Sequence, residues 1–213
     1  MKETTKKIYD ELFIRYPVLS CVKDGVLNAF EMLKQTYEKG GMLFCGGNGG
    51  SSSDCEHIVG ELLKSFKKRR EVDCKTAVEL HKFGEDGDYL LSKLEGSLPA
   101  VSLISQTGIL TAFANDKSWD TALAQQLYGL GKNGDTLIVL STSGNSKNCL
   151  YAVLVAKAKG IKTIAFTGKA GGKLGTICDE CICVPEVETY KVQELHLPIY
   201  HCLCAMLEEE FFN

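Results

Sequence analysis

The chain predicts an α/β domain: a parallel sheet with helices on both faces, preceded by a helical extension. Three observations carry this. Short, continuously apolar runs alternate with stretches of helical periodicity, the pattern of strands buried on both sides. The runs end in Gly, Ser and Asn and pass directly into helical stretches, as βα loops do. The 213 residues, 45% hydrophobic and 24% charged, suit one domain with a real core. There is no repeat, low-complexity tract or linker, so residues 1–213 read as one unit, with helices over 1–40 and the α/β core over 41–213.

In chain order, Ile8 and Leu12, then Val26, Phe30, Leu33 and Tyr37, recur at helical spacing, and Pro17 divides the two helices. "GMLFCGG" is a buried strand running into glycines. Residues 51–68 follow as a helix whose leading serines are expected to cap it. The charged stretch from Lys68 to Ser97 reads as a loop with some helix, placed over the site. "LPAVSLI" is a strand, and "TGILTAFANDKSWDTALAQQLYGLG" holds two helical pieces around Asn115 and Asp116. "DTLIVL" is a strand, "STSGNSKN" a loop and "CLYAVLVAKAKG" a helix. "KTIAFTG" and "CICVP" are strands separated by a short helix. A long helix runs from about Tyr190 to the end, and Pro198, lacking an amide donor, is expected to kink it.

Composition excludes some function classes. A formal net charge of −3 offers no basic footprint for nucleic acid. No segment approaches the roughly 20 apolar residues that span a bilayer. The first residues lack an apolar signal core, so a cytoplasmic location is the expectation. Most of the ten cysteines lie inside apolar strand or helix patterns and read as reduced thiols packed as small hydrophobes. "CDECIC" contains a CxxC without a second pair to partner it.

Two loops share one design, an apolar strand followed by Gly, Ser and Asn and then a helix: "CGGNGGSSSD" and "STSGNSKN". Ligands of parallel sheets bind beyond the carboxyl ends of the strands. Helix N-termini there present free amides to anions. With hydroxyls at Ser141, Thr142, Ser143 and Ser146, "STSGNS" suits a phosphate ester; the plain alternative is a βα turn with capping serines. "GGNGG" matches neither a dinucleotide fingerprint nor a P-loop. His57 and Glu61, at i and i+4, share a helix face in apolar surroundings. A carboxylate buried there must be paired, liganded or shifted in pKa. Gln193, Leu197 and His201 share a face of the last helix.

"CGGNGGSSSDCEHIVGEL", "ILTAFANDKSWD", "GDTLIVLSTSGNSKN", "AKAKGIKTIAFTGKAGGKL" and "YKVQELHLPIYH" occur in the order seen in the phosphosugar-isomerase (SIS) domain family. The chain resembles its phosphoheptose isomerase (sedoheptulose 7-phosphate isomerase) branch over nearly its whole length. The resemblance implies a flavodoxin-like sheet, a homotetramer with sites between subunits, and aldose–ketose isomerisation of a sugar phosphate through an enediol. It implies Glu61 and His201 as the catalytic pair. It implies substrate contacts from Asn48, Gly49, Gly50, Ser51, Asn115, Asp116, Ser141, Thr142, Ser143, Ser146 and Gln193. In metal-bound members a zinc site matches His57, Glu61, Gln193 and His201.

The chain departs from the branch at Ser65, where an Arg is usual and Lys64 or Lys67 is expected to supply the charge. It also departs at Tyr190, where an Asp is usual, and in the longer segment 70–97. The rival readings are a non-catalytic binding protein of the DnaA-binding type and an enzyme for another phosphosugar. The first lacks the carboxylate and histidine that this chain keeps at Glu61 and His201.

Overall fold

The computed structural model describes residues 1–212. Five parallel strands, β1 (Leu43–Gly47), β2 (Ala100–Ser102), β3 (Thr136–Leu140), β4 (Lys162–Thr167) and β5 (Glu180–Cys183), form one sheet in the order β2-β1-β3-β4-β5. This is the flavodoxin-like order. Leu43 pairs with both Ala100 and Thr136, which places β1 and β3 side by side at the centre.

Alternation along the strands divides the core into two layers. Leu43, Cys45, Ile138, Leu140, Ile164 and Phe166 point to one face. There they meet α1 (Glu3–Arg15), α2 (Lys23–Glu38), α3 (Gly50–Leu63) and α10 (Thr189–Phe211). Phe44, Leu137, Val139 and Ala165 point to the other face. They meet α6 (Thr107–Asp116), α7 (Ala122–Leu130) and α8 (Lys147–Ala158). A short α9 (Leu174–Ile177) precedes β5. Pro17 opens a 3₁₀ turn over Pro17–Val22 between α1 and α2, as its fixed φ allows. Among the described residues no helix is long and apolar enough to cross a membrane.

The expected boundaries fail in two places. α3 stops at Leu63 rather than 68, because Lys64 turns extended and the Arg70 guanidinium takes the last carbonyls, donating to Glu61 O and Leu62 O at 2.7 Å each. The serines do not cap α3. Its N-cap is Gly49, at φ +54 and ψ −126, where a side chain would be strained. Ser52 Oγ instead donates back to Gly49 O at 2.7 Å. α10 continues through Pro198 as one 23-residue helix.

The segment that sequence reading left open holds α4 (Cys74–His81) and α5 (Glu85–Lys93), packed mainly on each other. α4 buries no residue and α5 only Gly87. Gly96 N donates to Arg70 O at 3.1 Å and Ser65 N to Glu95 Oε2 at 2.8 Å, so the excursion leaves and returns at one point.

Candidate functional site

The strand order reverses between β1 and β3, so the crevice opens beyond the carboxyl ends of these strands. The two Gly/Ser/Asn loops meet there. Asn48 Nδ2 donates to Asn148 Oδ1 at 2.9 Å, and Asn148 Nδ2 donates to Asn48 Oδ1 at 2.7 Å. This closed amide pair ties the loop after β1 to the first turn of α8. Asn48 therefore braces the loops with its amide, and Asn148, which sequence reading passed over, is its partner.

In the loop after β3, Ser141 Oγ and Ser146 Oγ share a hydrogen bond at 2.9 Å, and Ser143 Oγ accepts from Asn145 N at 3.2 Å. Thr142 is partly buried and Ser143 is exposed. Gly144 sits at φ +65, and a Cβ there would lie 2.0 Å from Gly171 O. Only glycine lets the Gly171–Gly172 turn close against this loop. Hydroxyls, loop amides and the N-terminus of α8 thus gather where an anion would be received.

α3 carries His57 and Glu61 on the face toward α10. His57 Nε2 lies 3.2 Å from Glu61 Oε1 and 3.4 Å from His201 Nε2. On the far side of the imidazole, Tyr200 Oη stands 3.0 Å from His57 Nδ1 and donates to Asp54 Oδ1 at 3.1 Å. With its one O–H donated to Asp54, Tyr200 Oη is left to accept, from an N–H proton on His57 Nδ1. With that proton on Nδ1, a neutral His57 presents a bare Nε2 lone pair to a carboxylate oxygen. Such a pair of acceptors requires a shared proton or a cation between them. Lys64 Nζ takes the other carboxylate oxygen, 3.1 Å from Glu61 Oε2. Of the two lysines considered for the charge at Ser65, Lys64 makes the contact. Glu61 itself is buried.

Burial holds His201 below the usual imidazole range. Neighbouring His57 adds to this, and Glu61 partly opposes it. Burial raises the Asp54 carboxyl, against the Tyr200 hydrogen bond and the nearby His57. Phe66 lies across the His201 ring, centroids 5.6 Å apart. A cavity of about 340 Å³ opens beside His201, walled by Arg15 of α1 and Tyr16 just after it, by Phe66 and Lys67, and by Leu197 and Pro198.

The other candidate residues fall into two groups. Gln193 Nε2 donates to Ser51 Oγ at 3.4 Å and lies against Gly50, where a Cβ would come within 2.8 Å of it. Gln193 thereby joins the glycine loop to α10. Asn115 and Asp116 stand exposed at the end of α6, bonded to each other at 2.9 Å. Among the described residues they make no side-chain hydrogen bond to the rest of the candidate site. Tyr190, the second departure, is exposed.

Zinc bonded at 2.0–2.1 Å by tetrahedral ligands spaces neighbouring donor atoms about 3.3 Å apart. The 3.2 Å and 3.4 Å separations around His57 Nε2 match that edge, and a Nδ1-bound imidazole beside a carboxylate is the donor chemistry zinc takes. The donors fit the ion pairwise. Gln193, turned to Ser51, does not complete the set, and among the described residues no group of three or more His, Cys, Asp or Glu side chains is placed to hold a metal ion.

Residues 94–168 match the family model of the SIS domain. The chain is 36% identical to a phosphoheptose isomerase of Nitratiruptor sp. over 210 residues, covering 99% of this chain and 94% of that protein. It is 35% identical to that of Aneurinibacillus thermoaerophilus over 202 residues, covering 90% and 89%. Its fold superposes on a phosphoheptose isomerase from Francisella tularensis with a TM-score of 0.76 at 28% identity, covering 98% of this chain and all of the other. The Neisseria gonorrhoeae structure gives 0.74 at 27% identity, covering 97% and 98%. Similarity at this level, end to end, places the chain in the phosphoheptose isomerase family of SIS-domain proteins.

Proposed function

We infer that the protein interconverts D-sedoheptulose 7-phosphate and D-glycero-D-manno-heptose 7-phosphate, an aldose–ketose isomerisation through an enediol. The observation that carries the reading is the convergence of Glu61, His57 and His201 beside the crevice whose loops suit a phosphate. The Ser141–Ser146 loop holds the phosphate, and Asn48, Gly49, Gly50, Ser51 and Gln193 line the path from it to α3. Asn115 and Asp116 are assigned to the sugar hydroxyls.

In the ketose-to-aldose direction Glu61 takes the proton from C1, and His201 gives one to O2, forming the enediol. Glu61 then returns its proton to C2, and His201 recovers one from O1, so no proton is gained or lost. A neutral His201, its pKa already lowered, suits an exchange between two oxygens. The buried Glu61 is kept from bulk water, and Lys64 offsets its charge.

Zinc held by His57, Glu61, Gln193 and His201 is a proposal on the same residues. When bound, it would supply electrophilic stabilisation to the enediolate oxygens. The ion and the transferred protons draw on the same atoms, so assays with and without chelator, alongside zinc content by atomic emission, report which occupies them. We further assign a homotetramer and a cytoplasmic location. The exposed Asn115–Asp116 pair favours a site completed by a second subunit.

The test is a panel of ketose and aldose phosphates followed by NMR. Conversion of the seven-carbon ketose above shorter ones is expected. Conversion of a different sugar phosphate alone would move the assignment within the class, and no conversion of any would overturn it.

A further inference from the structure

Arg70 and Glu208 form an ion pair that the reaction does not use directly. Their side chains are 0% and 1% exposed, with Arg70 Nε donating to Glu208 Oε1 at 2.8 Å. The remaining guanidinium nitrogens donate to the carbonyls of Glu61 and Leu62. The guanidinium therefore grips the backbone of the residue assigned as the base. It also satisfies the last turn of α3, where a cation suits the helix dipole.

Glu208 closes the other side. Its Oε1 accepts from Phe66 N at 2.9 Å, and its Oε2 accepts from Lys67 N at 2.8 Å and Lys68 N at 3.2 Å. Burial pushes this carboxyl up, and the two nearest amides and Arg70 outweigh it, holding it below the usual carboxylate range. Phe66, whose amide is held in this way, is the residue whose ring lies on His201. Glu208 stands seven residues after His201 on α10, two turns along the same face. The Phe212 ring covers the guanidinium at 4.9 Å.

We propose that Arg70 and Glu208 are positioning residues that fix the distance between the two halves of the acid–base pair. The clamp ties the end of α3, which presents Glu61, to the helix that presents His201 and to the ring that packs on it. Nothing else among the described hydrogen bonds joins the carbonyl end of α3 to α10. A buried ion pair is weak support for stability alone, since apolar replacements of both partners are often tolerated. Catalytic geometry, by contrast, is sensitive to displacements of about 1 Å. The role assigned here rests on reading Glu61 and His201 as the reacting pair.

The double variant Arg70→Met/Glu208→Met removes the clamp without leaving an unpaired buried charge. Arg70→Lys keeps the charge but not the two-carbonyl fork, and serves if the double variant does not fold. Two readouts are taken on protein shown to be folded by circular dichroism. For sedoheptulose 7-phosphate, kcat is expected to fall about 10- to 100-fold, with KM within about threefold because the phosphate loop is untouched. The chain has four histidines, so ring NMR resolves them individually. The signals of His57 and His201 are expected to move, while those of His81 on the distal hairpin and His196 hold. A folded variant with wild-type kcat, or with His57 and His201 unmoved, overturns the proposal. If the wild-type protein does not turn over this sugar, the isomerase reading fails on its own, and the ring signals still decide whether the clamp sets the geometry.

Discussion

Acid should unfold this protein partly through one histidine outside the reaction. His196 is fully buried on α10, edge-on to Phe166 with ring centroids 5.6 Å apart. Its Nε2 lies 3.3 Å from Thr167 O, to which it donates, and its Nδ1 has no partner. Burial, only partly offset by the Thr167 hydrogen bond, pushes its pKa down to about 4. Above pH 6.5 the imidazole is neutral in both folded and unfolded chains and contributes no pH dependence. Below that the unfolded chain takes up the proton first, so stability falls with pH until the folded form also protonates near 4. At about 1.4 kcal/mol per pH unit, the interval is worth about 3 kcal/mol.

His196→Leu removes the group while preserving most of its volume. Thr167 O keeps a donor, since Val184 N also reaches it at 3.0 Å. Urea unfolding at pH 7 should therefore change by no more than about 1.5 kcal/mol, the scale of one hydrogen bond. Between pH 7 and pH 4 the variant should lose about 3 kcal/mol less than the wild type. Parallel curves for the two proteins across that range would refute the argument. Such curves would mean that His196 is hydrated or protonated within the fold.

Two further perturbations address the phosphate loop. Ser143→Ala should raise KM about 2- to 10-fold through loss of one hydrogen bond, and more if the bond is charge-assisted; a crystal soaked with a sugar phosphate that binds far from residues 141–146 would refute the assignment. Gly144→Ala should lower stability by more than about 1 kcal/mol and weaken substrate binding, because a Cβ at this positive φ meets Gly171 O; an unchanged Tm and KM would contradict the packing described.

The sheet was legible because its strands are buried on both faces and so remain continuously apolar. The long helices were legible from their apolar spacing. The end of α3 was not, because a distant side chain determines it: nothing local to "LLKSFKKRR" distinguishes Arg70, which is buried under Phe212, from its exposed basic neighbours. Glu208 is equally hidden within three consecutive glutamates, of which only its place on the α10 face marks it as internal. α4 and α5 were obscure because they bury almost nothing in this chain, leaving Val78, Phe83 and Tyr89 exposed and giving no core periodicity to read.

At the site, the His57–Glu61 spacing and the two loops were visible as motifs. The contact between His57 and His201 joins residues 144 positions apart, and only the resemblance to the family anticipated it. Asn148 carried a signal, a second amide in a loop already under suspicion, but its pairing with Asn48 depends on β1 and β3 being neighbours. Ser51, Ser52 and Ser53 misled because Gly49 occupies the cap position and all three serines fall inside the first turns of α3.

The central claim is proton transfer at carbon by Glu61, and deuterium exchange into substrate tests it most directly. Wild-type protein and Glu61→Gln are incubated in D₂O with sedoheptulose 7-phosphate and followed by NMR. The wild type should form the aldose and place deuterium at C1 or C2. Glu61→Gln keeps the size of the side chain but cannot accept the proton, so both rates should fall by about 100-fold or more, while sugar-phosphate binding stays within about threefold because the Ser141–Ser146 loop is intact. A folded Glu61→Gln protein that exchanges and converts the sugar at the wild-type rate would contradict the account.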